Sequence, residues 1–465
     1  MVGTFVSTII LSLQGNPGAV LHIVWFSAHA IRGDKMESIW SDYNMPQFTP
    51  LDGSIKTDVL VIGGGIAGLL CAYQLQNAGI AVVVAEARKI CGGVTANTTA
   101  KVTAQHGLIY HHLLQTLGKE RTKQYLQIHQ KAVAQYRTIA DKIPCHWEDT
   151  ANYVYSETNR QILEEEAGAL HRMGFPATLK SRSSLPFPVA GALEFRHQGQ
   201  FHPLEFAAGI AQALTIFENT PVLSIEGHTA RCPSGDITAK KIIVATHFPF
   251  LNRHGSYFLK LYQQRSYVLA LKNVPKVDGM YIGAEKNSLS FRNADGYLLL
   301  GGGGHRTGKK GGGWGELEHF AAEHYPDSAI VSRWATQDCI SLDGRPYIGH
   351  YSARTPDLYV ATGFNKWGMT SSMAAAMMLT ELITTSKSDY EALFSPSRSI
   401  LKSQLAVNAL ESVSNLLRPT RPRCTHMGCA LHWNKQERSW DCTCHGSRFT
   451  EDGTLLNNPA QKDLR

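Results

Sequence analysis

The chain has 465 residues, too many for a single small core, so two or three domains are expected. Its formal charge of +7 is small for this length, and no basic run with interleaved aromatic residues occurs, which disfavours nucleic-acid binding. Five of the nine cysteines are scattered, as buried thiols of a reducing compartment are, and this predicts a cytoplasmic protein. The other four lie between Cys424 and Cys444, and this clustering predicts a site.

Residues 1–35 are predicted to be an extension foreign to the fold. No charge occurs before Arg32, so the basic start of a secretory signal is missing. A polar turn at 14–18 leaves Ala19 to Ile31 too short to span a bilayer. A start codon placed upstream of Met36 is the favoured interpretation, and a membrane anchor is the alternative.

The stretch from Asp58 to Glu86 predicts a dinucleotide site. A buried strand at 58–62 runs into the glycines of a G-x-G-x-x-G turn, a helix follows to Gly79, and a second strand delivers Glu86. Gly63 allows the tight bend, Gly65 allows a pyrophosphate to approach the backbone closely, and Gly68 allows the helix to pack closely on the strand. Glu86 is placed to accept the ribose hydroxyls. A plain glycine-rich turn is the alternative.

A long polar segment, 91–107, follows Glu86. It is rich in small hydrogen-bond donors that suit the second phosphate and the polar edge of a ring system, namely Gly93, Thr95, Thr98, Thr99 and Lys101. An ordinary polar loop is the alternative. Residues 111–143 are then predicted to be helical.

The middle of the chain changes to short strands separated by turns, which predicts an antiparallel, substrate-facing domain at about 145–215 and 255–334. A helix is expected from Pro203 to Leu214. The apolar run 241–246 is expected to return to the nucleotide-binding sheet. Arg292, His305 and Arg306 are candidates to bind a substrate carboxylate, since arginine suits planar bidentate recognition.

A second strand, glycine turn and helix occur at 358–383. The turn begins at Gly363, and the residues that open the helix are Gly368, Met369 and Thr370. A helix N-terminus placed here can point at a cofactor. Core packing of the methionine-rich helix is expected at the same time.

These stretches resemble the FAD-dependent family of D-amino-acid oxidase, glycine oxidase and sarcosine-oxidase-like enzymes. The resemblance covers residues 55–383. It implies FAD, bound by a Rossmann-like α/β domain made of about 55–110, 215–250 and 335–383, and oxidation of a C–N bond by hydride transfer to the flavin. It also implies that Val222 lies near the adenine, and that Gly368, Met369 and Thr370 lie near the isoalloxazine.

The tail offers one cysteine and one histidine in each of two loops, Cys424-Thr-His426-Met-Gly-Cys429 and Cys442-Thr-Cys444-His445-Gly-Ser447. Such a set suits a [2Fe–2S] cluster with thiolates on one iron and imidazoles on the other. Structural zinc is the competing interpretation, because two cysteines and two histidines also bind zinc tetrahedrally.

The tail is similar to the Rieske proteins of respiratory chains. The resemblance implies that Cys424 and Cys442 ligate one iron and His426 and His445 the other. It also implies a disulfide between Cys429 and Cys444, and a hydrogen bond from Ser447 to the cluster.

This Rieske-like module, 418–465, is shorter than usual. Strands that normally precede the first loop are missing, and a helical linker, 384–417, leads into it instead. About forty residues are few for a self-standing core, so the module is expected either to support its cluster poorly or to lean on the flavin domain. The whole arrangement resembles a group of bacterial oxidoreductases.

Together these features predict an α/β plus β protein that acts as an amine or amino-acid dehydrogenase. Reduced flavin would pass electrons to the cluster and on to an external acceptor. An oxidase with a vestigial cluster module and a redox sensor without turnover are the alternatives. The expected partners are a small-molecule substrate and an electron acceptor, and the composition disfavours membrane association.

Overall fold

The structure is a computed structural model that describes residues 36–252, 254–419 and 422–464. The extension predicted at 1–35 lies outside the described residues.

The strands of the described residues form three sheets. In chain order they are β1 Ile55–Ile62, β2 Val82–Ala85, β3 Lys101–Val102, β4 Glu148–Ser156, β5 Thr178–Lys180, β6 Gly191–Gln200, β7 Thr215–Phe217, β8 Ser224–Glu226, β9 Thr229–Cys232, β10 Gly235–Val244, β11 Leu261–Lys272, β12 Met280–Gly283, β13 Ser290–Ala294, β14 Tyr297–Arg306, β15 Ala329–Ser341, β16 Tyr347–His350, β17 Leu358–Thr362, β18 Leu431–Asn434, β19 Ser439–Cys442, β20 Arg448–Thr450 and β21 Leu455–Asn457.

The helices are α1 Ile66–Asn77, α2 Ile109–Leu117, α3 Lys119–Ala140, α4 Arg160–Arg172, α5 Pro203–Ala211, α6 Tyr257–Lys260, α7 Gly313–His324, α8 Gly368–Thr385, α9 Glu391–Phe394 and α10 Ser403–Leu417. The helix predicted at 111–143 is two helices, because Gly118 has φ +78° and ends α2 before α3 begins. None of the described helices is both long and apolar enough to cross a membrane.

The first sheet carries the nucleotide-binding turn. Its order is β16-β17-β10-β1-β2-β7, and β1 runs parallel to both β2 and β10. The inner ends of β1, β2 and β10 are buried and aliphatic, as parallel strands covered on both faces must be. The predicted return of 241–246 to this sheet is observed in β10.

The second sheet has the order β15-β11-β14-β13-β12-β4-β6-β3 and is mostly antiparallel. It contains the strand-like runs predicted for the middle of the chain. Helix α7 lies along it, and the aromatic and aliphatic side chains between them form a separate core. The fold class is therefore confirmed.

The third sheet, β18-β19-β20-β21, is antiparallel and belongs to the C-terminal module. Its own core is small and includes the four clustered cysteines and Phe449. The described residues from both sheets and this module fall in one compact unit. The expectation that the short module leans on the rest of the chain is met by the contacts described below.

Candidate functional site

The glycine turn after β1 has the geometry that its spacing predicts. Gly63 has φ +108°, and a Cβ there would lie 2.7 Å from the carbonyl oxygen of Ala245. A Cβ on Gly68 would lie only 1.8 Å from the carbonyl oxygen of Gly63. At Gly65, by contrast, a Cβ would meet only the hydroxyl of Thr95, at 3.5 Å. Two glycines are thus required by the protein's own packing, and the third leaves open the side on which a pyrophosphate can approach.

The acid at the end of β2 lies beside this turn. One carboxylate oxygen of Glu86 accepts the Gly64 N–H at 2.7 Å, and the other accepts the Arg88 N–H at 2.8 Å. Each oxygen has a further lone pair, so the carboxylate can still accept ribose hydroxyls. The backbone therefore holds the Glu86 carboxylate beside the glycine turn.

The polar segment after Glu86 crosses the N-terminus of α1. Gly93 precedes a short 3₁₀ turn, Val94–Asn97, in which Thr95 is buried and its hydroxyl accepts the Ile66 N–H at 3.1 Å. The hydroxyl of Thr98 accepts the Ala100 N–H at 2.9 Å. The structure therefore brings Thr95 next to the glycine turn, as in a phosphate-binding loop.

Lys101 follows at the start of β3. Its ammonium donates to the hydroxyls of Thr99 and Ser290, both at 3.3 Å. Burial, together with the positive charge of Arg292, lowers the pKa of Lys101 to about 7. Both hydrogen-bond partners are neutral hydroxyl groups, so the amine can still donate a hydrogen bond to an incoming electron-rich group.

The second glycine turn lies at the end of β17. Gly363 has φ +70°, and a Cβ there would lie 3.1 Å from Leu261. Helix α8 begins at Gly368, and the carbonyl oxygen of Met369 accepts the Tyr136 hydroxyl at 3.0 Å.

The first turn of α8 is also fixed by a histidine for which the sequence gives no signal. His106 stacks on Trp367 with ring centroids 4.9 Å apart, and its Nε2 lies 2.9 Å from the Thr370 hydroxyl. The other ring nitrogen lies 2.7 Å from the Tyr125 hydroxyl. Burial lowers the pKa of His106 well below its usual range, so the ring positions the helix start as a neutral group.

The remaining cofactor candidate is Val222, which lies just before β8 and is partly buried against the core of the nucleotide-binding sheet. Its proximity to the adenine stays a prediction.

Two of the three candidate substrate-binding residues hydrogen-bond to backbone carbonyl groups of the protein itself. The guanidinium of Arg292 is buried and donates to the carbonyl oxygens of Thr99, Phe201 and Asn293. The guanidinium of Arg306 donates to the carbonyl oxygens of Thr443 and Cys444, at 2.9 and 3.0 Å, in the C-terminal module. These contacts do not support a substrate role for either residue, because a donor satisfied by buried carbonyl groups is not free for a ligand.

His305 is half-buried next to Arg306. Its Nδ1 lies 3.3 Å from the carbonyl oxygen of Gly303, and its ring stacks on Tyr267 with centroids 5.6 Å apart. A role in substrate binding stays a prediction for this residue.

The C-terminal module brings its two cysteine–histidine loops together. The Sγ atoms of Cys429, Cys442 and Cys444 lie within 4.8 Å of one another, and Cys424 is buried beside them with the Ser447 hydroxyl as a hydrogen-bond partner. Cys429 and Cys444 are free thiols in the structure, so the disulfide between them stays a prediction.

The two histidines complete the set of ligands. The rings of His426 and His445 have centroids 5.0 Å apart and are nearly perpendicular. The Nδ1 atoms of both rings are buried and have no hydrogen-bond partner among the described residues. A buried orphan nitrogen is costly unless it binds something, so the pair fits an iron atom. The donor set therefore fits the cluster that the sequence predicts.

Comparisons with known proteins support both the flavin part of the chain and the C-terminal module. The family described as FAD dependent oxidoreductase matches residues 58–382, and the Rieske [2Fe-2S] domain family matches residues 387–465. The second match takes in the helical segment that the sequence assigns to a linker.

A relative from Bacillus subtilis (strain 168), named as the Rieske 2Fe-2S iron-sulfur protein YhfW, is 32% identical over 92% of this chain and 97% of its own length. The alignment runs over 495 positions, so YhfW carries residues that have no counterpart here.

Two solved structures are similar in fold to the flavin part. Glycine oxidase from Geobacillus kaustophilus has a TM-score of 0.63 at 20% identity and covers 74% of this chain and 99% of its own. L-proline dehydrogenase from P. horikoshii has a TM-score of 0.64 at 17% identity and covers 75% and 98%. The chain belongs to the FAD-dependent oxidoreductase family and carries a C-terminal Rieske [2Fe–2S] domain, so FAD and a [2Fe–2S] cluster are its cofactors.

Proposed function

We propose that this oxidoreductase is an amine or amino-acid dehydrogenase whose electrons leave through the Rieske cluster to an external one-electron acceptor. One observation carries the proposal. Phe248, which closely follows β10 of the nucleotide-binding sheet, has its ring centroid 6.2 Å from that of His445 and 6.4 Å from that of His426. The histidine side of the cluster site therefore faces the flavin part of the same chain.

The electron count favours a relay. When bound, FAD accepts a hydride from the carbon beside the nitrogen, and a [2Fe–2S] cluster carries one electron at a time. Oxidation of an amine to an imine removes two electrons and two protons. The protons pass to water, and the electrons reduce two equivalents of the one-electron acceptor. Hydrolysis of the imine then gives the carbonyl product and the free amine or ammonia.

The chain's own residues supply the binding part of this chemistry. The glycine turn and Glu86 hold the dinucleotide. Lys101, which donates to the hydroxyls of Thr99 and Ser290, would donate a hydrogen bond to the polar edge of the ring system.

The class of substrate rests on likeness. Glycine oxidase and L-proline dehydrogenase, both named for amino acids, share the fold of the flavin part. Fold alone does not choose a substrate, so compounds with and without a C–N bond have to be compared.

The test uses the purified holoprotein under anaerobic conditions with a panel of amines and amino acids. We expect a productive compound to bleach the flavin absorption and to produce the EPR signal of a reduced Rieske cluster. Flavin bleaching without that signal, followed by peroxide release when oxygen is admitted, would show an oxidase instead. No bleaching by any amine, with bleaching by a compound that has no C–N bond, would overturn the substrate class.

A further inference from the structure

The C-terminal module is fastened to the second sheet by two buried glutamines. Gln263 on β11 donates through Nε2 to the carbonyl oxygen of His445, at 2.8 Å, and to that of Asn458, at 3.0 Å. Gln337 on β15 donates through Nε2 to the carbonyl oxygen of Gly446, at 2.8 Å. Both residues come from the second sheet, and both donate hydrogen bonds to the second ligand loop of the module.

The two glutamines support each other. The Nε2 of Gln337 also lies 2.7 Å from the Oε1 of Gln263, which fixes both amide orientations. Each glutamine is at most 2% exposed, so its hydrogen bonds are shielded from water. A buried amide whose donor and acceptor are both used positions its partner more strictly than a solvent-exposed one does.

The loop that carries His445 packs closely against this surface. Gly446 has φ +90°, and a Cβ there would lie 2.6 Å from the Cβ of Gln263. The ring of His445 lies against Phe248 and Phe258, with centroids 6.2 and 6.4 Å apart. His445 is 3% exposed, and its loop has no room to move while the two chain segments remain in contact.

The segment that His445 faces is part of the nucleotide-binding sheet. Residues 246–248 follow β10, and the carbonyl oxygen of His247 accepts the hydroxyl of Thr362, the last residue before the second glycine turn. From the module side, Asn458 donates to the carbonyl oxygens of Thr246, at 2.6 Å, and Phe248, at 3.0 Å. The segment 246–248 therefore contacts both the strand that precedes the second glycine turn and the cluster module.

We propose that Gln263 and Gln337 are positioning residues that hold the His445 loop against the segment 246–248, so that electrons enter the cluster through His445 with the module fixed in place. This inference rests on the proposed function, since it gives that relay a route. In that relay the reduced flavin would be oxidised one electron at a time, each electron would reduce the cluster iron, and the cluster would be reoxidised by the external acceptor.

The experiment compares wild type with Gln263→Leu, Gln337→Leu and the control Gln264→Leu. Gln264 is the neighbour of Gln263 on β11, and among the described residues its side chain hydrogen-bonds only the Tyr262 hydroxyl, at 3.4 Å. All four holoproteins are analysed for flavin and iron. Their flavin is then photoreduced anaerobically with light and EDTA, and the appearance of the Rieske EPR signal is followed in time.

We expect the two glutamine variants to retain flavin and iron, to show a broadened EPR signal, and to reduce the cluster at least about tenfold more slowly, while Gln264→Leu behaves as wild type. Dithionite, which reaches the cluster from solvent, should reduce it fully in every variant. An EPR-monitored titration should show a shifted and less uniform cluster potential in the glutamine variants.

The outcomes separate the two proposals. If photoreduced wild-type flavin never reduces the cluster, the relay of the proposed function is wrong. If wild type reduces it and the glutamine variants do so at the same rate with an unchanged EPR signal, only the positioning role is overturned. If Gln263→Leu loses its iron, Gln337→Leu, which removes the contact to Gly446 and leaves those to His445, decides by the same two readouts.

Discussion

At the scale of single residues, the first glycine turn separates glycines that the fold needs from one that a ligand needs. The Cβ contacts at Gly63 and Gly68 are with backbone atoms of the protein itself, and the space beside Gly65 is open. Local spacing predicted all three, because the constraint lies within a few residues of the turn. The spacing also assigned each glycine its role, and the structure adds the atoms that enforce two of them, the carbonyl oxygens of Ala245 and Gly63.

This difference predicts two distinct phenotypes. Gly68→Ala should lower the free energy of unfolding by about 3 kcal/mol, because its Cβ overlaps a carbonyl oxygen that cannot move away. Gly65→Ala should leave the stability of the flavin-free protein nearly unchanged and abolish flavin binding. Chemical denaturation and flavin content measure the two effects. Gly168→Ala, a site on α4 where a Cβ meets nothing within 4 Å, is the control. Equal flavin content in Gly65→Ala and wild type would contradict the assignment.

Lys101 predicts a pH dependence. Its pKa falls from 10.5 to about 7 in the fold, so the folded protein binds fewer protons than the unfolded chain between these values. The free energy of unfolding therefore increases as the pH rises through this window. The cost of burying the protonated amine is greatest below pH 7. In the flavin-free protein, Lys101→Met should raise stability by about 1 kcal/mol at pH 6 and by little at pH 10. A gain that does not depend on pH would show that the ammonium is solvated.

At the scale of elements, the sequence predicted strands and helices wherever a local pattern carries them. The strand, glycine turn and helix at each end of the flavin part came from apolar runs and glycine spacing. The roles of Arg292 and Arg306 could not be predicted from such local patterns. Arg292 donates to the carbonyl oxygens of Thr99 and Phe201. Arg306 donates to those of Thr443 and Cys444. Contacts so distant along the chain leave no local pattern.

Helix α10 shows the same limit in another form, because its polar face lies inward. Asn408 is buried and accepts from Arg306 at 2.9 Å, and Asn415 is buried and lies 2.9 Å from the Nε2 of His432. Leu410 and Leu417, in contrast, are 71% and 78% exposed. A reading of its apolar periodicity alone would bury the opposite face.

Because the polar face of α10 is buried, we expect substitutions of its asparagines to cost more stability than substitutions of its exposed leucines. Asn408→Leu should cost about 2 kcal/mol, because it leaves the Arg306 guanidinium without one of its acceptors. Leu410→Gln, on the outer face, should change stability by less than about 0.5 kcal/mol. Thermal unfolding of the two variants measures this. A larger loss from Leu410→Gln than from Asn408→Leu would mean that the leucine face is covered in solution.

At the scale of the whole molecule, a short Rieske module lies on a flavin domain that completes its packing. Its own core contains few residues other than the cysteines. A buried charge network joins it to the second sheet, in which Glu437 bonds Arg265 at 3.0 Å and Arg448 at 2.8 Å. The sequence predicted that the module is too small to stand alone, but not which surface supports it, because a charged side chain gives no sign of its partner.

We expect this network to make the module and the flavin domain unfold as one cooperative unit. Burial would raise the pKa of Glu437, but the charges of Arg265 and Arg448 outweigh it and lower the pKa to about 2. Because the folded pKa is below the ordinary value of 4.5, the carboxylate stabilises the fold above pH 4.5, and this contribution is lost as pH falls towards 2.

Glu437→Gln should therefore cost about 3 kcal/mol at pH 7, because it leaves two buried guanidinium groups short of an acceptor. It should also split unfolding into a first transition of the module, seen as loss of the cluster absorption, and a later one of the flavin domain. Glu451→Gln, which removes an exposed ion pair with Arg438, is the control and should stay within about 0.5 kcal/mol of wild type. The difference between Glu437→Gln and wild type should narrow as pH falls from 5 to 3. A single transition in Glu437→Gln at every pH would show that the glutamine contacts alone hold the module, and that the charge network is not what joins it to the sheet.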